Sequence, residues 1–123
     1  MNFLVIDGTQ DKINFFLRFN TNSYNKSFEA SKNNNERFSV LLFDFINENN
    51  IKLSELSHVF VNQGPGKFSG IRASLSTAKA LCFVNKIDLY GFNSDQIVDK
   101  NYGEIIDLFN KGLLIKNLIK PQY

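Results

Sequence analysis

The stretch Val59-Phe60-Val61-Asn62-Gln63-Gly64-Pro65-Gly66-Lys67-Phe68-Ser69-Gly70-Ile71-Arg72, continuing Ala73-Ser74-Leu75-Ser76-Thr77-Ala78-Lys79-Ala80-Leu81, decides the fold. Val59-Phe60-Val61 reads as a short buried strand, and three glycines and a proline within seven residues forbid regular structure after it. A helix then follows, because Ile71, Leu75, Ala78 and Leu81 recur at helical spacing down one face. Ser69 is expected to cap it by accepting a hydrogen bond from a free amide of the first turn. Glycines at such a joint let backbone amides approach a phosphate at a helix amino terminus, but they serve a tight turn without a ligand equally well. Spacing alone favours the turn. A Walker loop needs four residues between its first glycine and a Gly-Lys-Ser/Thr ending, whereas Lys67 here precedes Phe68-Ser69. A dinucleotide fingerprint is also excluded, since Gly64-Pro65-Gly66 is followed by Gly70 rather than by a glycine three residues on, and Pro65 removes an amide.

Working outward, Phe3-Leu4-Val5-Ile6 is a continuous apolar run fit for a central strand, and Asp7-Gly8-Thr9-Gln10-Asp11 turns it into a second. In that second strand Ile13, Phe15, Leu17 and Phe19 point one way and Asn14 and Arg18 the other; Phe16 on the polar side implies that this face too is partly covered. Residues 23–30 read as a third strand. Ser31-Lys32-Asn33-Asn34-Asn35 is a polar break able to cap a helix over 36–48, whose face is marked by Phe38, Leu41, Leu42, Phe45 and Ile46. Past the glycine loop and its helix, Asp88-Leu89-Tyr90-Gly91-Phe92 reads as a fifth strand. Ser94 is the expected cap of a short helix, and Ile105-Ile106 with Leu108-Phe109 mark a last helical turn before Gly112. The order βββαβαβα, a meander of three strands before alternating helices, implies an α/β fold with a mixed five-stranded sheet and helices against it.

A chain of 123 residues suits one core, and thirteen Phe supply it amply, each buried one contributing about 1.5 to 3 kcal/mol. The net charge of +2 with interspersed signs gives a weak field, below that of an autonomous nucleic-acid binder. Cys82 is the only cysteine, so no internal disulfide forms, and its apolar neighbours favour a buried thiol over a catalytic one. His58 is the only histidine, which excludes a His-pair metal site and makes a catalytic triad improbable; the expectation is no metal and no cofactor. Asp44 and Glu48 share a helix face but read as a solvated stripe. No apolar run approaches the roughly 20 residues that span a bilayer, and no basic region precedes a long apolar one, so a cytoplasmic protein is expected.

The string Gly64-Pro65-Gly66-Lys67-Phe68-Ser69-Gly70-Ile71-Arg72 resembles the signature of the TsaB (YeaZ) family, with Gly64, Pro65, Gly66, Phe68, Gly70 and Arg72 identical. Phe3 to Thr9 resembles the family's opening strand and its Asp-Thr-Ser/Ala-Thr, with Gly8 a departure; Gln63 stands where the family has Arg, and Asn34-Asn35 where it often has His-Ser. The resemblance implies a ribonuclease-H-like fold of the actin, sugar-kinase and heat-shock ATPase group. In that group Asp7, at the end of a central strand, and Thr9 would be vestigial nucleotide-site residues, although Asp7 could equally accept hydrogen bonds from its own turn. Residues 105–123, ending Ile-Lys-Pro-Gln-Tyr, resemble the family's final helix and x-x-Pro-x-Tyr tail. The expected organisation is a ribonuclease-H-like domain over 1–100 and a C-terminal helix and tail over 101–123, with the family's second domain absent between about Asp99 and Gly103.

In function, the resemblance implies no enzyme but an accessory subunit that docks onto a TsaD-like catalytic subunit, which forms N6-threonylcarbamoyladenosine at tRNA position 37. A TsaE-like ATPase would join the same assembly, tRNA would be met only through the complex, and a homodimer is possible. The family pairs its first two helices with those of the partner, so Phe38, Leu41, Leu42, Phe45, Ile71, Leu75 and Ala78 are the interface candidates. The residues themselves leave the helix over 36–48 open between an interface and an element buried by its own domain. Two other readings stand beside the scaffold: an ATP-binding kinase-like enzyme, or a homodimeric binding module without a role in tRNA modification. Direct tRNA binding has scattered cations behind it, Lys26, Lys32, Arg37, Lys67, Arg72 and Lys79, but no aromatic platform motif.

Overall fold

The computed structural model describes all of residues 1–123. Three strands open the chain, β1 (Phe3–Asp7), β2 (Lys12–Phe19) and β3 (Asn22–Glu29), followed by α1 (Lys32–Glu36), α2 (Phe38–Glu48), β4 (His58–Asn62), α3 (Phe68–Asn85), β5 (Asp88–Phe92) and α4 (Ile105–Asn110). They build a five-stranded sheet of order β3-β2-β1-β4-β5. β2 runs antiparallel to β1 and β3, with Val5 opposite Phe16, while β4 runs parallel to β1 and β5, with Val5 opposite Phe60. This mixed order, a meander followed by two crossovers, is the ribonuclease-H-like arrangement. No helix is long and apolar enough to cross a membrane.

Strand alternation divides the buried side chains between the two faces. Leu4, Ile6, Ile13, Phe15, Leu17, Val59 and Val61 face the larger core, which α2 and α3 close with Phe38, Leu42, Phe45, Ile71, Leu75 and Ala78. Phe3, Val5 and Phe60 face a smaller core closed by Phe92, Tyr102 and Ile105, and Phe16 packs against it. Every residue of β1 is therefore buried, and the covering of the Phe16 side has its cause in the chain after β5. That later chain also binds the sheet edge, where Ile115 and Gly91 exchange both backbone hydrogen bonds (2.7 and 3.0 Å).

Several boundaries differ from expectation. The helix expected over 36–48 runs as α2 from Phe38, and the polar break before it is itself helical: Ser31 caps α1 by accepting from the Asn34 N–H (3.1 Å), and Arg37, at φ −102°, separates α1 from α2. Ser69 is not the cap of α3. The Lys67 N–H is held by the Thr9 carbonyl (2.8 Å), which fixes Lys67 in extended geometry, so the helix starts at Phe68 with no side-chain cap. Asn93 rather than Ser94 holds the cap position of the next short turn, its N–H donating to Gln96 Oε1 (2.8 Å).

The interface candidates need a larger correction. Phe38, Leu41, Leu42, Phe45, Ile71, Leu75 and Ala78 all lie in the protein's own core, none more than 8% exposed, because α2 and α3 turn those faces to the sheet. What α2 and α3 leave in solvent is Val40, Phe43, Phe68, Phe83 and Val84. A charge at Leu41 or Phe45 is accordingly expected to unfold the chain. Phe45→Ala is expected to cost about 3 to 5 kcal/mol, read as a lower midpoint of urea unfolding at unchanged slope.

Candidate functional site

Asp7 ends the central strand, and its carboxylate is met from within the chain. Oδ1 accepts from the Thr9 N–H (3.0 Å) and Thr9 Oγ1 (2.7 Å), and Oδ2 accepts from the Tyr102 hydroxyl (2.6 Å). Thr9 Oγ1, having given its proton to Asp7, accepts from Asn62 Nδ2 (3.2 Å), and Asn62 Oδ1 accepts from the Gly64 N–H (2.9 Å). One directed string of donors thus joins the ends of β1 and β4, the glycine loop and the turn before α4. Asp7, Thr9, Asn62 and Tyr102 are all at most 5% exposed, so each bond replaces one that water would otherwise make. Burial first, and then the facing Asp7 carboxylate, push the Tyr102 phenol far above its ordinary value.

A pocket of about 380 Å³ opens beside this string, lined by Asp7, Asn62, Ser94 and Tyr102 together with Asp11, Asp99, Lys12 and Lys100. A magnesium nucleotide, which the fold group implies, does not fit these residues. Three of the acceptor positions of Asp7 are given to Thr9 and Tyr102, and no cluster of three or more His, Cys, Asp or Glu side chains is placed to hold a metal ion. The loop glycines are also used up by the chain itself. A Cβ on Gly66 would run into the Thr9 backbone, and one on Gly70 into the Gly8 carbonyl. The contact is reciprocal: a Cβ on Gly8 would lie 2.6 Å from the Gly70 oxygen, which explains why glycine stands at this departure from the family pattern. The glycines let the loop and the start of α3 pack closely on Thr9 and Gly8.

The tail lies on the same loop. The Gln122 N–H donates to the Gln63 carbonyl (2.8 Å) and Gln63 Nε2 to the Lys120 carbonyl (3.1 Å), while Ile119 enters the larger core. Phe68 remains outside, stacked on Tyr123 at 4.7 Å, with the Arg72 guanidinium 5.1 Å from the Phe68 ring.

Of the residues singled out in the sequence, the structure brings together Asp7, Thr9 and the loop Gly64, Pro65, Gly66 and Gly70. Asn62 and Tyr102 were missed. Asn62 carries a signal, a polar residue closing an apolar strand, but Tyr102 reaches Asp7 across 95 positions of chain with nothing local to announce it. Cys82 is buried and its thiol is pushed up to about 12 by burial and then by Asp88, so it is no nucleophile. His58 is half-buried among Phe60, Tyr90 and Phe109, and that burial holds it below its ordinary value. Asp44 and Glu48 are exposed, with Glu48 paired to Lys26 at 3.0 Å.

Tyr102→Phe removes one hydrogen bond to a buried charge and is expected to cost about 1.5 to 3 kcal/mol in urea unfolding at neutral pH. The raised Tyr102 value also fixes a sign. Its contribution is complete below pH 10.0 and is lost as pH rises beyond it, so wild-type stability should fall there more steeply than that of Tyr102→Phe.

A family model described as "TsaD: tRNA N6-adenosine threonylcarbamoyltransferase" matches residues 26–100. The tRNA N6-adenosine threonylcarbamoyltransferase of Clostridioides difficile (strain 630) is 31% identical over 80 residues, 64% of this chain and 24% of that protein. The tRNA threonylcarbamoyladenosine biosynthesis protein TsaB of Buchnera aphidicola subsp. Schizaphis graminum is 40% identical over 48 residues, 39% of this chain and 23% of that protein. The chain thus spans about a quarter of the length of these curated relatives. Among solved structures, YeaZ from Pseudomonas aeruginosa shares the fold with a TM-score of 0.69 at 17% identity, over 75% of this chain and 43% of that one. The family match takes in the glycine loop, α2 and α3 and more than half of the 123 residues, so the chain belongs to the family that this model describes, and it is similar to the relatives named TsaB and YeaZ.

Proposed function

We propose that this chain serves the formation of N6-threonylcarbamoyladenosine in tRNA as a non-catalytic subunit that docks onto a TsaD-like transferase, in the cytoplasm and in an assembly with a TsaE-like ATPase. The observation that supports docking is the set of apolar side chains that α2 and α3 leave in solvent: Val40 at 47%, Phe43 at 39%, Phe83 at 86% and Val84 at 74% exposure. A helix that buries one apolar face and exposes further large apolar groups has surface left for a partner. The reading of a non-catalytic chain is supported by Asp7, whose oxygens accept from Thr9 and Tyr102 and so serve the fold. In this reading residues 1–100 are the docking domain and 101–123 return to it as helix and tail. The same reading puts the loss of the family's second domain at the turn of Asp99 and Lys100, both in left-handed geometry (φ 54° and 57°).

Light scattering after size exclusion, on this chain alone and mixed with a TsaD-like protein from the same source, tests the reading. A defined mixed complex is expected. Phe83→Glu, at an exposed position, should leave the melting temperature nearly unchanged yet weaken the complex about 30-fold or more, as loss of a central apolar anchor does. A stable homodimer that ignores the TsaD-like protein would sink the docking reading and leave a binding module without a role in tRNA modification.

A further inference from the structure

Phe68 opens α3 with 55% of its surface in solvent, and Tyr123, 60% exposed, lies on it with ring planes 27° apart. The Arg72 guanidinium approaches the same Phe68 ring. Depressions flank this stack on two sides, one of about 870 Å³ between α1 and the start of α3 and one of about 180 Å³ between α3 and the tail. Among the side chains of their lining Lys32, Lys67, Arg72 and Lys79 stand against Glu36, an excess of three positive side chains in a chain whose side chains sum to +2. Lys67 is tied to Asp11 at 3.0 Å, while Lys32, Arg72 and Lys79 form no ion pair.

An aromatic pair left in solvent beside unpaired cations offers a stacking face and phosphate partners together, the combination by which proteins hold unpaired nucleotides. We propose that this surface binds single-stranded RNA, one base stacking on the Phe68–Tyr123 pair while neighbouring phosphates meet Arg72, Lys79 and Lys32. An acidic protein segment would match the charge but would leave the stacked rings without a function. The proposal goes beyond the docking reading and departs from the expectation that tRNA is met only through a complex; it does not depend on any partner protein.

The test is fluorescence anisotropy of a short labelled oligouridine, and of an RNA duplex of equal length, titrated with the full chain at low salt. Single-stranded RNA should bind more tightly than duplex, with log affinity falling linearly against log salt at a slope of about −2, or −0.7 for each of three phosphates. Phe68→Ala should weaken binding about 5- to 150-fold, the loss of one stacked base, and Phe68→Trp should restore it. Arg72→Gln should flatten the salt slope by about 0.7. Tyr123→Ala provides the same reading should Phe68→Ala fail to fold. Three results would overturn the proposal: no saturable binding, equal affinity for duplex, or binding that ignores both aromatic substitutions. A Phe68→Ala variant that loses a TsaD-like protein while oligouridine never binds would likewise overturn it and make the surface a protein contact.

Discussion

A carboxylate buried at the end of a central strand is the constraint from which the rest of the structure follows. An unpaired charge there would cost several kcal/mol, so Asp7 has to be surrounded by donors. Thr9 supplies two of them by folding the chain straight back after β1, and Tyr102 supplies the third from the far end of the sequence. With Thr9 fixed in this way, its carbonyl holds Lys67 and its hydroxyl holds Asn62, and the start of α3 comes down on Gly8 through Gly70. A position that in the fold group would orient a metal-bound phosphate is here the knot that ties β1, β4, the glycine loop and the turn before α4.

Much of this was legible because local rules and packing agreed. The alternation Leu4/Ile6 against Phe3/Val5 and the polar-side Phe16 anticipate a sheet covered on both faces, and Asp88–Phe92 forms β5 with the bounds its composition implies. Periodicity failed where two buried elements share one pattern. Phe38, Leu41, Leu42 and Phe45 mark an apolar face, but spacing does not say whether a sheet or a partner covers it; the sheet does. The start of α3 was misplaced because a long-range bond from Lys67 to Thr9 overrides the local capping chemistry of Ser69. Tyr102 was invisible for the same reason, being selected by a contact 95 residues away.

The two proposed surfaces share α3 but use different chemistry. Phe83 and Val84 near its end are aliphatic or aromatic groups with no charge among them, suited to a protein face, whereas Phe68 and Arg72 at its start combine a stacking ring with a cation. The tail connects the second surface to the fold: Gln63 grips Lys120 and Gln122, Ile119 anchors the segment in the core, and Tyr123 is thereby set on Phe68. A single helix can present both faces because the glycine loop fixes its start against Thr9 and Gly8.

The central claim is that Asp7 belongs to the architecture and not to nucleotide chemistry, and titration calorimetry of the whole chain with magnesium ATP tests it most directly. The account predicts no saturable heat, since Asp7 is committed to the donors of Thr9 and Tyr102 that hold the fold together. A saturable heat that disappears in Asp7→Asn, with that variant still folded, would contradict it and return the chain to the ATP-using enzymes.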